Sequence, residues 1–139
     1  MAPAPSLWLL KSEPETYSFD DLLRDGGTVW DGVRNAQAAN NLKAMMVGDL
    51  ALFYHSGPKP GVVGLAEVSA AAFPDPGDDT GRFVAIRIRP QRRLVRAVSL
   101  SEIKATPSLG SMALVRQGRL SVSPVTPEEW AQITTMAET

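Results

Sequence analysis

The chain has 139 residues, 44% hydrophobic and 21% charged, with a net charge of −1. That is enough chain and enough apolar mass for one soluble globular domain with a real core. The absence of cysteine excludes disulfides, thiolate zinc sites and cysteine nucleophiles, and the near-neutral charge argues against strong nonspecific binding to nucleic acid.

The opening Met1-Ala2-Pro3-Ala4-Pro5-Ser6 has neither a basic start nor a long apolar run. It is expected to be a flexible segment over residues 1–6 rather than a signal peptide. No stretch approaches the ~20 apolar residues that span a bilayer, so no membrane partner is expected. A reducing cytoplasm is the expected setting, and a monomer the default state. Leu7 to Leu10 reads as a short buried strand, ended by Lys11-Ser12-Glu13-Pro14 because proline disfavours continuation. Ser18 with Asp21 reads as a helix cap, and the helix is stopped near Arg24 by Gly26-Gly27.

Residues 30 to 40 are the most informative stretch, too polar to be plain core: an indole, carboxylate, glycine, guanidinium and carboxamides lie close together. Gly32 offers a turn that residues with a Cβ resist. Asn35 can cap a helix over 35–46. A turn running into a helix start presents unpaired N–H groups, and Trp30 supplies a flat stacking face. Asn35 and Asn40 offer amide donors and acceptors for a base edge, although Asn35 reads equally as a cap alone. Arg34 reads as a phosphate contact or as a partner of Asp31, with the internal pair preferred.

Leu50–His55 and Gly61–Val68 read as a hairpin joined by Ser56-Gly57-Pro58-Lys59-Pro60. Residues 73–81, rich in Pro, Asp and Gly, read as a surface loop. Alternation over 83–89 predicts a half-exposed strand, and 92–98 a further strand turning back. Arg82, Arg87, Arg89, Arg92, Arg93 and Arg96 carry no acid among them. Such a cluster is either a local positive field or a solvated strand edge. Ser99-Leu100-Ser101-Glu102 opens a short helix, Leu120–Val122 is a brief strand, and Thr126-Pro127-Glu128-Glu129 is the strongest helix start, running to Met136. Five or six short strands with helices inserted early and late imply a small α+β barrel.

Catalytic machinery is sparse. There is no Gly-x-Ser-x-Gly, no P-loop and no zinc-deaminase pattern. A lone histidine, His55, could pair with Ser12 or Ser56, but nothing in the spacing supports it. Neither cofactor nor metal is expected, and a binding module is favoured over an enzyme.

Several ordered motifs then carry a resemblance. They are Trp8-Leu9-Leu10-Lys11-Ser12-Glu13-Pro14, Trp30-Asp31-Gly32-Val33-Arg34-Asn35, Val47-Gly48-Asp49 and Phe53-Tyr54-His55-Ser56, followed by Gly64-Leu65-Ala66-Glu67-Val68 and Arg119-Leu120-Ser121-Val122-Ser123-Pro124-Val125. Together they closely resemble the EVE domain family over nearly the whole chain. The resemblance implies a single domain over 7–136 with a PUA-like fold, a mostly antiparallel β-pseudobarrel with flanking short helices. It also implies a reader of modified bases, modified cytosine in DNA or a base in RNA. The matching pocket positions are Lys11, Ser12, Trp30, Val33, Arg34 and Asn35, with Asn40, Phe53, His55 and Ser56. Arg87, Arg89 and Arg92 are the candidates for touching the nucleic-acid backbone. Three positions depart from the family's pattern: Ala36 stands for an aromatic, Ala39 for an arginine and Asn41 for a phenylalanine. The first is expected to leave the pocket short of a wall and the second to remove a phosphate contact. The loop after Phe73-Pro74-Asp75-Pro76 is also shorter than is common in the family. The alternatives to a reader are an accessory or protein-interaction module with a vestigial pocket and, after it, a small enzyme acting on a nucleotide-like ligand.

Overall fold

The computed structural model describes residues 5–138. In chain order it contains β1 (Leu7–Ser12), α1 (Phe19–Asp25), β2 (Thr28–Trp30), α2 (Ala36–Ala44), β3 (Leu50–His55), β4 (Gly61–Pro74) and β5 (Val84–Ser99). There follow α3 (Leu100–Ala105), a 3₁₀ turn over Pro107–Leu109, α4 (Ala113–Arg116), β6 (Val122–Pro124) and α5 (Pro127–Met136). The strands form one six-stranded sheet in the order β2-β5-β4-β3-β1-β6. Every neighbouring pair is antiparallel except β1 with β3. The sheet curves into a half-barrel, the α+β architecture expected.

Alternation along the strands sorts side chains to two faces. Trp8 and Leu10 join one buried cluster, with Phe19, Leu22, Ala38 and Leu42 of the first two helices. Leu9 lies in the other cluster, with Ile103, Leu109, Met112, Leu114 and Ile133. Helical segments therefore cover both faces, which is why the Leu7–Leu10 run is apolar throughout. Close fit matters at Gly64, where an added Cβ would collide with the Phe19 ring. Among the described residues, no helix is long and apolar enough to cross a membrane.

The helix starts follow local chemistry. Ser18 with Asp21, Ser99 with Glu102, and Thr126 with Glu129 each form a reciprocal capping box. The strands depart from expectation in two places. β4 continues past Val68 to Pro74, and the two strands expected over 83–89 and 92–98 are one strand, β5. The long β4 pairs with β5 from Val84 to Ser99, and shifts in register at four places, one of them where Ala66 meets Pro90, absorb the unequal lengths. β2 is a three-residue strand with too short a pattern to be read, and the last strand lies at Val122–Pro124 rather than 120–122. Of the flexible segment expected over 1–6, residues 1–4 lie outside the described residues. Ser6 is held: its amide donates to Asp49 Oδ1 at 3.0 Å, and its carbonyl accepts from Leu50 at 3.1 Å.

Candidate nucleic-acid interface

The polar stretch after β2 is shaped by one buried carboxylate. Gly32 turns the chain at φ +76°. Its amide donates to Asp75 Oδ2 at 2.8 Å, and Arg34 Nη1 donates to the same oxygen at 2.8 Å. The other oxygen of Asp75 accepts from the Gly77 amide at 2.7 Å. The Asp75 side chain is only 1% exposed. The Arg34 hydrogen bond, aided by the Gly32 and Gly77 amides, holds this carboxyl below its ordinary range against the opposing effect of burial. The Arg34 guanidinium also lies 5.0 Å from the centre of the Phe83 ring. The internal ion pair expected of Arg34 is thus present, but with Asp75 in place of Asp31, because β4 carries residue 75 back to the β2 turn.

Beside this turn lies a hollow of about 920 Å³. Of the candidates, Lys11, Ser12, Trp30, Val33 and Arg34 line it, together with Arg87. Thr16, Tyr17, Asp31 and Ser121 complete much of the polar wall. Trp30 is half-buried, and its ring meets Phe53 edge-on at 5.6 Å. Lys11 Nζ donates to the Gly118 carbonyl at 2.7 Å, and partial burial lowers its pKa. Ser12 Oγ donates to the Tyr17 carbonyl at 2.6 Å. Desolvation raises the Tyr17 phenol, whose OH donates to Asp25 at 2.9 Å.

The remaining candidates do not line this hollow. Phe53 is 0% exposed and supports the indole from the core. The Asn35 side chain caps α2 by accepting from the Ala38 amide at 3.0 Å. Asn40 is an exposed residue of α2. His55 Nε2 accepts from the Phe19 amide at 3.0 Å. That bond requires the neutral ring with its proton on Nδ1, and burial lowers the His55 pKa in the same sense. His55 instead borders a second hollow of about 610 Å³ with Glu13, Pro14 and the Gly57–Lys59 loop. Ser56 extends the β1–β3 pairing, its amide donating to the Ser12 carbonyl at 3.0 Å.

The arginines of β5 also divide. Arg87 reaches the hollow from opposite Val29. Arg89 Nε donates to Glu67 at 2.7 Å, whereas Arg92 is exposed opposite Leu65. Arg93 pairs with Asp20, and Arg96 with Glu102 at 2.9 Å. Among the three family departures, Ala36 is exposed at the start of α2 and Asn41 Nδ2 donates to the Val122 carbonyl at 2.7 Å. Ala39 is only 3% exposed, on the packed face of α2. Sequence reasoning missed Asp75, Tyr17 and Ser121 as parts of this region. The Pro74-Asp75-Pro76-Gly77 run reads as an ordinary turn, with no local signal of burial.

The EVE domain model matches residues 6–136. Thymocyte nuclear protein 1 of Rattus norvegicus is 37% identical over 165 residues, covering 94% of this chain and 73% of the relative. A Rhodopseudomonas palustris protein solved by NMR is 43% identical with a TM-score of 0.91, covering 96% of this chain and 93% of that one. Human THYN1 protein, solved in complex with DNA containing 5-methylcytosine, is 32% identical with a TM-score of 0.90, covering 96% of this chain and 98% of that one. An ASCH protein from Zymomonas mobilis, at 12% identity and a TM-score of 0.58, shares the fold alone. A family model spanning almost the whole sequence, with relatives this similar along it, leads to one assignment: the chain belongs to the EVE domain family.

Proposed function

We propose that this chain is a non-catalytic nucleic-acid-binding module that takes one modified base, flipped out of its strand, into the hollow beside Trp30. The observation that carries the reading is the hollow itself, with a half-buried indole in its wall and the cations Lys11 and Arg87 at its edge. The structural neighbour in complex with 5-methylcytosine-containing DNA supports modified cytosine in DNA as the first ligand to test. Extruding a base costs a few kcal/mol of stacking, and stacking on an aromatic side chain returns roughly 1–3 kcal/mol. Asn35 is committed to its helix cap, so edge hydrogen bonds fall to polar groups of the hollow such as Thr16, Asp31 and Lys11. Arg87 supplies a phosphate contact that carries no sequence information.

Two commitments support a role without catalysis. Ser12 Oγ donates to a backbone carbonyl, and His55 Nε2 accepts from a backbone amide. Neither is poised as half of a nucleophile–base pair.

The test is titration of the protein with DNA and RNA oligonucleotides carrying 5-methylcytosine, other modified bases or none. Preference for a modified base, lost in Trp30→Ala, is the expected result. Failure to bind any oligonucleotide at low salt would sink the reading and favour an accessory module that binds a protein partner.

A further inference from the structure

We infer that Asp75 is the positioning residue of the hollow, and that Arg34 serves this clamp rather than a phosphate. The inference rests on the proposed function and assigns the side chains that set its geometry. Asp75 lies 43 residues beyond Gly32 in the chain, yet accepts its amide hydrogen at 2.8 Å. The turn at Gly32 links Trp30 and Asp31 on one side to Val33 and Arg34 on the other, and all four line the hollow. One buried carboxylate thus fixes the segment that presents the indole.

The loop that delivers Asp75 is itself braced. The Asp75 amide donates to the Phe83 carbonyl at 3.1 Å, and the Asp78 amide to the Asp75 carbonyl at 3.0 Å. The Asp78 carboxylate accepts from Thr80 Oγ1 at 2.6 Å, from the Thr80 amide at 3.0 Å and from the Phe83 amide at 2.8 Å. Phe83, fixed by these bonds, is the ring beneath the Arg34 guanidinium. Arg34 therefore has a charged partner on one side and an aromatic face on another. A guanidinium held in this way stiffens the clamp, and turning it toward a phosphate would leave a carboxylate of 1% exposure without its charge partner. Side chains that hold a binding group in register act through preorganisation.

The test uses wild type, Asp75→Ala, Asp75→Asn, Arg34→Ala and the Arg34→Ala/Asp75→Ala double variant. Thermal melts first establish that each is folded. Binding to a 5-methylcytosine oligonucleotide is then measured across a salt series, and exchange of the Gly32 amide is followed by NMR without ligand. Asp75→Ala is expected to raise Kd roughly tenfold, the scale of a lost hydrogen bond to a charged group, and to speed Gly32 exchange. Asp75→Asn keeps a single acceptor oxygen, so it can serve the Gly32 amide only by turning its NH2 toward the Gly77 amide, and it should recover only part of both. Arg34→Ala should weaken binding without changing the salt slope, and the double variant should be no weaker than Asp75→Ala. A salt slope flattened by about 0.9 in Arg34→Ala would make Arg34 a phosphate contact and overturn the inference. Unchanged Kd in Asp75→Ala, with wild type binding, overturns this inference alone. Failure of wild type to bind any oligonucleotide overturns the functional reading and this inference with it.

Discussion

The segment from Trp30 to Arg34 and the arginine-rich strand β5 are both polar, but they use their charges in opposite ways. In the first, a single buried acid, Asp75, gathers the Gly32 amide and the Arg34 guanidinium and leaves an open hollow beside them. In the second, acids from three other elements take up the arginines one by one: Arg89 by Glu67, Arg93 by Asp20 and Arg96 by Glu102. Only Arg87 belongs to both regions, as a β5 residue in the wall of the hollow. Cations that are numerous along a strand need not make a phosphate track. What counts is which of them lacks an acid nearby and faces a space that a ligand can enter.

The comparison is tested most strongly at the indole. Trp30→Ala should weaken binding to a modified oligonucleotide by ~1–3 kcal/mol at every salt concentration, since stacking is not electrostatic. Arg96→Ala, on the neutralised part of β5, should leave Kd nearly unchanged in the same titrations. A similar magnitude is expected for folding at position 39. Ala39→Arg places a long cation on a face only 3% exposed, so its melting curve should show a loss of ~1–3 kcal/mol from overpacking. Higher affinity without loss of stability would show that α2 opens at this face. Ala36→Tyr, at an exposed position, should change stability by no more than about 0.5 kcal/mol.

Salt dependence sharpens the contrast further. Arg87→Ala should flatten the slope of log K against log salt by about 0.9, the value for one phosphate contact. Glu67→Gln should do the reverse, by releasing Arg89, and steepen the slope by a smaller amount. An unchanged slope in Glu67→Gln would mean that Arg89 lies beyond reach of the nucleic acid even when unpaired.

The smallest effect concerns the support beneath the indole, where His55 meets Phe53 edge-on and Phe53 meets Trp30. Burial lowers the folded His55 pKa from its ordinary 6.5. The unfolded chain therefore takes up the proton first. This residue's contribution to stability is complete above pH 6.5, falls as the pH drops from there toward the lowered folded value, and does not fall further below it. Because His55 is the sole histidine, melting temperatures measured between pH 8 and pH 5 should show this slope in wild type and lack it in His55→Gln. A folded-state titration at or above 6.5 would contradict the neutral acceptor role.

Elements fixed by near neighbours were legible in the sequence. Ser18 with Asp21, Ser99 with Glu102, and Thr126 with Pro127 and Glu129 each carry their helix start within four residues, and all three helices begin there. The run of strand and helix signals carried the α+β fold, and the motif order carried the family. Lys11, Ser12 and Trp30 do share a hollow. Trp30 stood out by its polar neighbours, whereas the resemblance supplied Lys11 and Ser12, because strand ends this far apart in sequence give no local sign of meeting. What stayed hidden depended on partners at long range. Nothing near Arg89 reveals Glu67, which reaches it through β4–β5 pairing. Nothing near Arg34 reveals Asp75, 41 residues away. β5 looked like two strands because Pro90 and its polar neighbours interrupt the alternation, while the continuity comes from β4 alongside.

The placement of β1 has a consequence for how the chain reaches this state. β1 lies between β3, its parallel partner, and β6, with Leu9 opposite both Leu52 and Ser123. The first strand thus waits for a neighbour more than forty residues later on one side and more than a hundred later on the other. The β3–β4–β5 meander can zip by successive antiparallel pairing, whereas inserting β1 requires closing large loops before any pairing rewards them. Assembly should therefore proceed from the middle of the sequence outward, with the Leu7–Ser12 segment docking late. Since Lys11 and Ser12 sit at the end of that segment, the hollow takes its final shape only at the closing stage of folding.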